Sequence, residues 1–279
     1  MRLHALIAAA ACALALAAPS AALAAEPPNP NDPCSESGRN TCGTNGVGQY
    51  ATYRYGIRWF GDFRGAVPGE KQTFCIDLRF WYPARAHRYE ETSPRGLKNR
   101  DGKAVSVTRQ RQMAYALWAY GRSNSKTTQA AVMLYVHSMM GDGRAGEVDP
   151  AAVSRAVAST YRRVAQDAAR YHGPYRVVVR LSDGLRVGRA GTATIRVLSA
   201  TGRAVPRVRL ELTGTGTSGL ARTATTGRTG VARIAFTAAS ADGVRIAVRT
   251  AALPSTLPRI YAATTAAASR NAQRLAAPA

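Results

Sequence analysis

Residues 149–181 read DPAAVSRAVASTYRRVAQDAARYHGPYRVVVRL, and the fold turns on a change halfway along them. Asp149-Pro150 is a helix start, because aspartate caps free backbone N–H groups and proline suits the first turn. Val153, Val157, Val164, Ala168 and Tyr171 then recur at three-, four- and seven-residue spacings, which makes one apolar stripe of an amphipathic helix. Gly173-Pro174 closes the helix. From Tyr175 the period drops to two: YRVVVRL alternates and is β-branched, as a half-buried strand requires. The chain therefore passes from a helical unit to a β unit at Pro174.

Toward the C-terminus the strand pattern repeats in TATIRVL, VRLELTG, GVARIAFTA and GVRIAVRTA, separated by SDG, TGRAVP, TGRTG and ADG turns. Short regular spacing of this kind predicts a small antiparallel sandwich over 174–252. Residues 253–279 are rich in Ala, Thr and Pro and are expected to be a disordered tail. Within them Leu253-Pro254-Ser255-Thr256 lacks the following glycine and the apolar tail of a wall-sorting signal. No lysine follows Lys126, so a Lys–Asn isopeptide crosslink in the sandwich is excluded.

Toward the N-terminus, VTRQRQMAYALWAY (Val107–Tyr120) reads as a helix stopped by Gly121. A second helix, QAAVMLYVHSMMG, is expected to start with Thr128 as its cap and to end at Gly141. Before them, QYATYRYGIRWFGDFRG and QTFCIDLRFWYP mix aromatic and polar residues as strands do. Residues 49–173 are thus an α+β domain, strands plus about three helices, followed by an all-β sandwich. Residues 26–48 form a polar, turn-rich loop.

Residues 1–25, MRLHALIAAAACALALAAPSAALAA, have a basic start, an apolar run and a small-residue cleavage pattern, so they read as a signal peptide. No later segment is apolar enough to span a membrane. The expected location is secreted or extracellular, or associated with the cell wall. The net charge is +22, and residues 151–279 carry 20 Arg against 4 acidic residues. That imbalance fits a polyanion as one partner of the Arg-rich half, although Arg and Ala abundance throughout also fits a G+C-rich genome.

Export sets a puzzle about cysteine. Cys12 leaves with the signal peptide, and Cys34, Cys42 and Cys75 remain, an odd number in an oxidising compartment. Three pairings are open. The local one, Cys34 with Cys42, asks least of the fold and would stabilise its loop by roughly 2–3 kcal/mol on chain-entropy grounds. Cys75 is then left over, within Thr73-Phe74-Cys75-Ile76-Asp77-Leu78.

The segment FCID around Cys75, followed later by Thr127-Thr128-Gln129-Ala130-Ala131 at a helix start, resembles the thioester domains of bacterial surface adhesins. The resemblance covers about residues 45–145. It implies that Cys75 and Gln129 condense to an internal thioester that captures amines on a target. The implied partner is an amine-bearing surface protein or cell-envelope polymer, and the implied role is a covalent binder rather than a turnover enzyme. Family helices carry an aromatic soon after this motif, whereas here the run is Ala131-Val132-Met133. The sandwich segment TGRAVPRVRLELTGTG with TTGRTGVARIAFTA similarly resembles bacterial immunoglobulin-like repeats.

The residues are chemically apt beside any resemblance. A lone thiol in an oxidising space survives best when buried or capped. A glutamine in the first helical turn lies near unsatisfied N–H groups that can stabilise an oxyanion. Asp77, on the Cys75 side of a strand, is a candidate proton shuttle, or else makes a structural hydrogen bond. Two alternatives stand. One is a non-covalent cell-envelope protein with an inert Cys75. The other is a secreted cysteine hydrolase or transglutaminase-like enzyme pairing Cys75 with His137, a residue about 12 Å along the helix from Gln129. His87 and His172 show no metal spacing, so neither metal nor cofactor is expected.

Overall fold

A computed structural model describes residues 31–53, 56–78, 80–141, 148–250, 253–254 and 257–278. The expected signal peptide lies outside them. In chain order the elements are β1 (Ser35–Glu36), β2 (Arg39–Asn40), β3 (Asn45–Tyr53), β4 (Gly56–Phe63), β5 (Phe74–Cys75), β6 (Tyr89–Thr92), α1 (Val107–Tyr120), α2 (Lys126–Met140), α3 (Pro150–Val153) and α4 (Arg155–Tyr171). There follow β7 (Arg176–Leu181), β8 (Ala190–Leu198), β9 (Arg209–Thr215), β10 (Thr217–Ser218), β11 (Thr223–Thr225), β12 (Val231–Ala238), β13 (Arg245–Thr250), β14 (Arg259–Ala263), α5 (Ala268–Asn271) and β15 (Leu275–Ala277). The architecture is mixed α+β, helices in the first unit and antiparallel strands in several sheets.

α2 is the centre of the first unit. Every residue from Gln129 to His137 is buried, and the helix packs against α1, α4, the β3–β4 hairpin and β5. It ends where expected: Gly141 takes the left-handed conformation (φ 69°) that a side chain disfavours. It begins earlier than expected. The cap is Ser125, not Thr128: the Ser125 hydroxyl accepts a hydrogen bond from the Thr128 N–H at 3.3 Å. Both residues are of capping type, and the first one in the chain takes the role.

The third expected helix is two. Ser154 is extended (φ −172°, ψ 160°), which breaks the helix after one turn, and its hydroxyl caps α4 through the Val157 N–H at 3.1 Å. The stripe survives the break, with Val157, Val164 and Ala168 fully buried. The loop after β8 then satisfies the end of α4. Ser199 and Thr201 hydroxyls donate to the Arg170 carbonyl, and the Ala200 N–H donates to that of His172.

All five strands expected beyond Pro174 are present. With two short strands that were not expected, β10 and β11, they form two antiparallel sheets, β10-β12-β8-β7 and β11-β9-β13, with Ile195, Val197, Leu210 and Leu212 buried between more exposed neighbours.

The tail expected to be disordered is instead structural. β14 and β15 complete a four-stranded sheet, β5-β15-β14-β6, with the first unit. Ile260 and Leu275 are fully buried there. The two-sheet unit is therefore an insertion between α4 and β14, and the first unit is built from both ends of the chain. A second boundary also moves. Residues 35–40 form the β1–β2 hairpin, and β3 begins at Asn45, inside the stretch read as loop. Tyr82 ties that stretch down, its N–H donating to Asp32 and its hydroxyl to the Gly38 carbonyl. Cys34 and Cys42 form a disulfide across it.

Candidate functional site

Cys75 sits on β5 with β15 beside it, opposite Leu275 in the register. Among the described residues it is the free cysteine, and it is fully buried. Its Sγ donates to the backbone carbonyl of Asp77 at 2.9 Å. Burial pushes the thiol well above its ordinary pKa, and the Asp77 charge adds to that, so Cys75 is a neutral thiol. β5 is only two residues long, so Asp77 lies in the bend after the strand and not further along one face of it.

Asp77 is not free to move protons. Its carboxylate accepts from Arg100 Nε at 2.9 Å and from the Arg274 guanidinium on both oxygens at 2.8 Å, and the Arg274 N–H adds a bond at 3.1 Å. Burial alone would raise its pKa. The Arg274 bonds and charge, with the Arg100 charge, outweigh that and hold it below the usual carboxylate range. A carboxylate clamped by two guanidiniums is a poor proton acceptor, so the geometry gives Asp77 a structural role where a proton shuttle was expected. Arg274 is the residue that sequence reasoning missed: it lies 197 residues from Asp77.

Gln129 is fully buried in α2. Because the helix starts at Lys126, Gln129 lies beyond the first unsatisfied N–H groups, and its own N–H already bonds the Ser125 carbonyl at 2.9 Å. The expected oxyanion contribution from the helix start is therefore weaker than the sequence suggested. Its side chain is held by the turn that precedes the helix. Nε2 donates to the Gly121 carbonyl at 2.8 Å and to the Ser123 carbonyl, while Oε1 has no partner. Cys75 and Gln129 are both fully buried, on β5 and α2, which pack together, but each hydrogen-bonds to a different partner.

His137 is nearer to this chemistry than its distance from Gln129 suggested. α2 brings it against the Ile76 backbone and into the field of Asp77. Neither ring nitrogen makes a full hydrogen bond, although the Ile76 backbone lies close enough to favour the charged form slightly. Burial lowers its pKa to about 4, against the smaller opposing effect of Asp77, so the ring is neutral. A neutral thiol and a neutral imidazole with no bond between them are not the activated pair of a cysteine hydrolase. One outcome follows for stability. His137 has a folded pKa below its unfolded one, so its contribution is full above about pH 6.5 and is lost as pH falls toward 4. The loss is expected to reach about 2 kcal/mol by pH 5. Chemical unfolding at pH 7 and pH 5 checks this: a His137→Leu variant should lose most of the difference, and an unchanged difference would refute the assignment.

Among the described residues, no group of three or more His, Cys, Asp or Glu could hold a metal ion. No helix there is long and apolar enough to cross a membrane.

No protein-family model matches the chain, and no curated protein sequence matches it. Among solved structures, the chain is similar to the thioester domain of the Enterococcus faecium TIE86 protein, with 10% identity and a TM-score of 0.34, covering 84% of this chain and 87% of that one. A score that low carries no argument, so the functional reading rests on the side chains.

Proposed function

We propose that the chain is an exported binding protein in which Cys75 and Gln129 form an internal thioester that captures amines on a surface protein or cell-envelope polymer. The observation that carries this reading is the pose of Gln129. Two carbonyls grip its amide nitrogen, the atom that must leave, while Oε1, the atom that stays, is unpartnered. The unpaired Cys75 is buried on β5, which packs against α2.

In the condensation, Sγ attacks Cδ of Gln129. The S–C bond forms, the C–Nε2 bond breaks, and the thiol proton leaves with the nitrogen as ammonia. A target amine later attacks the same carbon. An amide forms, the C–S bond breaks, and Cys75 recovers its proton. One capture consumes the site, so the protein binds covalently without turnover. Phe74 and Tyr82, both buried nearby in the chain, fit a dry surrounding that protects such a bond. The two-sheet unit serves as an immunoglobulin-like module that presents the first unit. The Cys34–Cys42 disulfide agrees with an oxidising, extracellular location.

Intact mass tests this directly. After allowing for the disulfide, the mature protein is expected to be lighter by one ammonia, and methylamine should add the mass of one methylamine and expose one thiol. Cys75→Ala and Gln129→Ala should each abolish both effects. Full mass in the untreated protein, with a thiol titrated only on denaturation, would end the proposal.

A second reading keeps one supporting observation. Arg176, Arg180 and Arg196 line one hollow on the outer face of the β7–β8 ladder, which suits a polyanion. Under that reading Cys75 is inert and salt alone releases the protein from the envelope.

A further inference from the structure

A cavity of about 550 Å³ opens where four parts of the first unit meet: Arg64, residues 69–72, the turn holding Arg122 and Asn124, and the C-terminal segment at Arg259 and Pro278. Its walls are the backbones that lead to the candidate thioester. Lys71 and Gln72 run directly into Thr73, Phe74 and Cys75. Arg122 stands between Gly121 and Ser123, whose carbonyls hold the Gln129 amide. The walls are fixed from beneath. Buried Asp62 accepts from Arg64 Nε at 2.9 Å and from Gln72 Nε2 at 3.0 Å. Glu70 is matched by Arg259 at 2.7 Å and by the Tyr261 hydroxyl at 2.5 Å.

Two lining cations are left over. Lys71 and Arg122 are exposed, one on each wall, and neither makes an ion pair among the described residues. Their charges act in two ways on an amine that enters. They disfavour its ammonium form, which raises the share of neutral, nucleophilic amine. They also repel it, unless the ligand brings negative charge of its own.

We infer that this cavity receives an acidic peptide segment, so that the preferred target of capture is a lysine flanked by carboxylates. The cavity has the size of a site for a few side chains. Lys71 and Arg122 pair the flanking carboxylates, the amides of Gln72 and Asn124 offer hydrogen bonds between them, and the lysine is left to reach the Gln129 carbonyl. The coupling step rests on the thioester proposal; the binding step does not.

The experiment separates the two. The full chain is given three peptides identical except for the residues flanking one lysine: glutamates, serines or arginines. Coupling is followed by intact mass, with methylamine reporting whether a thioester is present. The glutamate peptide is expected to couple about tenfold faster than the serine peptide, and the arginine peptide slowest. In a Lys71→Ala, Arg122→Ala variant the glutamate-to-serine ratio should fall to about 1. Equal rates for the glutamate and serine peptides, or a ratio that survives the double substitution, would overturn the inference. If methylamine leaves the mass unchanged, the thioester fails and the cavity is judged by binding alone. The glutamate peptide with its lysine acetylated should then bind the wild-type chain in calorimetry and bind the double variant at least tenfold more weakly. Absence of binding to the wild type rejects the site.

Discussion

Removing residues 253–279 is expected to unfold the first unit while leaving the two-sheet unit intact. Ile260, Tyr261 and Leu275 bury their side chains in the first unit, and each is worth about 1.5–3 kcal/mol on transfer from water. Their summed contribution, about 5–9 kcal/mol, already matches the whole stability of an ordinary domain. The backbone adds to it. The Ile76 N–H donates to the Arg274 carbonyl at 3.0 Å, the Trp81 N–H to Asn271 at 2.8 Å, and the Tyr89 hydroxyl to Gln273 at 2.7 Å. Without β14 and β15, β5 and β6 become unpaired edges and Cys75 faces solvent. Calorimetry on a chain ending at residue 252 should show a single remaining transition, and Cys75 should react with a thiol reagent in the absence of denaturant. A first-unit melting temperature within a few degrees of the full chain, with an unreactive Cys75, would overturn the assignment.

The tail shows why part of this fold was hidden in the sequence. Its composition, Ala and Thr with scattered Pro, has no strong strand propensity. Ala276 and Ala277 are buried on a strand only because β5 and β14 lie on either side of β15. β14 is close in sequence, but the other partner, β5, lies about two hundred residues away. The same holds for Asp77: its position beside Cys75 was visible, but its partner Arg274 was not, so its role was misread. Local features were legible for the converse reason. The Cys34–Cys42 pairing, the α1 limits, the Gly141 stop and the five alternating strands each depend on residues close in sequence. Two local readings still failed. Thr128 has a capping side chain, but Ser125 comes first and takes the role, and the break at Ser154 is masked because the apolar stripe continues across it in phase. Of the candidate site, Cys75 and Gln129 stand out in the chain as an unpaired thiol and a helix-start glutamine. The turn that grips the Gln129 amide and the cavity beside it required the fold.

Asp77→Ala is expected to cost about 3–5 kcal/mol, because it removes a buried carboxylate that both Arg100 and Arg274 bind. The side chains of Arg100 and Arg274 are only 20% and 18% exposed, and that of Asp77 is wholly buried. Asp77→Asn keeps acceptor and shape but not charge, so its loss should be smaller. The pH dependence identifies the cause. Asp77 has a folded pKa below its unfolded value, so its contribution is complete above the ordinary carboxylate range, near pH 4, and is lost only as pH falls through the lower folded value. The penalty of Asp77→Ala should therefore be constant between pH 5 and 8. The acid loss of the wild type in that window comes mainly from His137, with a share from His87, whose pKa burial also lowers, and should persist in the variant. Asp77 also helps to keep the Cys75 thiol protonated, second to burial, so the variant should alkylate faster at Cys75 under native conditions. Unfolding at several pH values with parallel iodoacetamide labelling measures both effects. A penalty below about 1 kcal/mol, the usual worth of an exposed ion pair, would mean that the clamp does not hold β15 against Cys75.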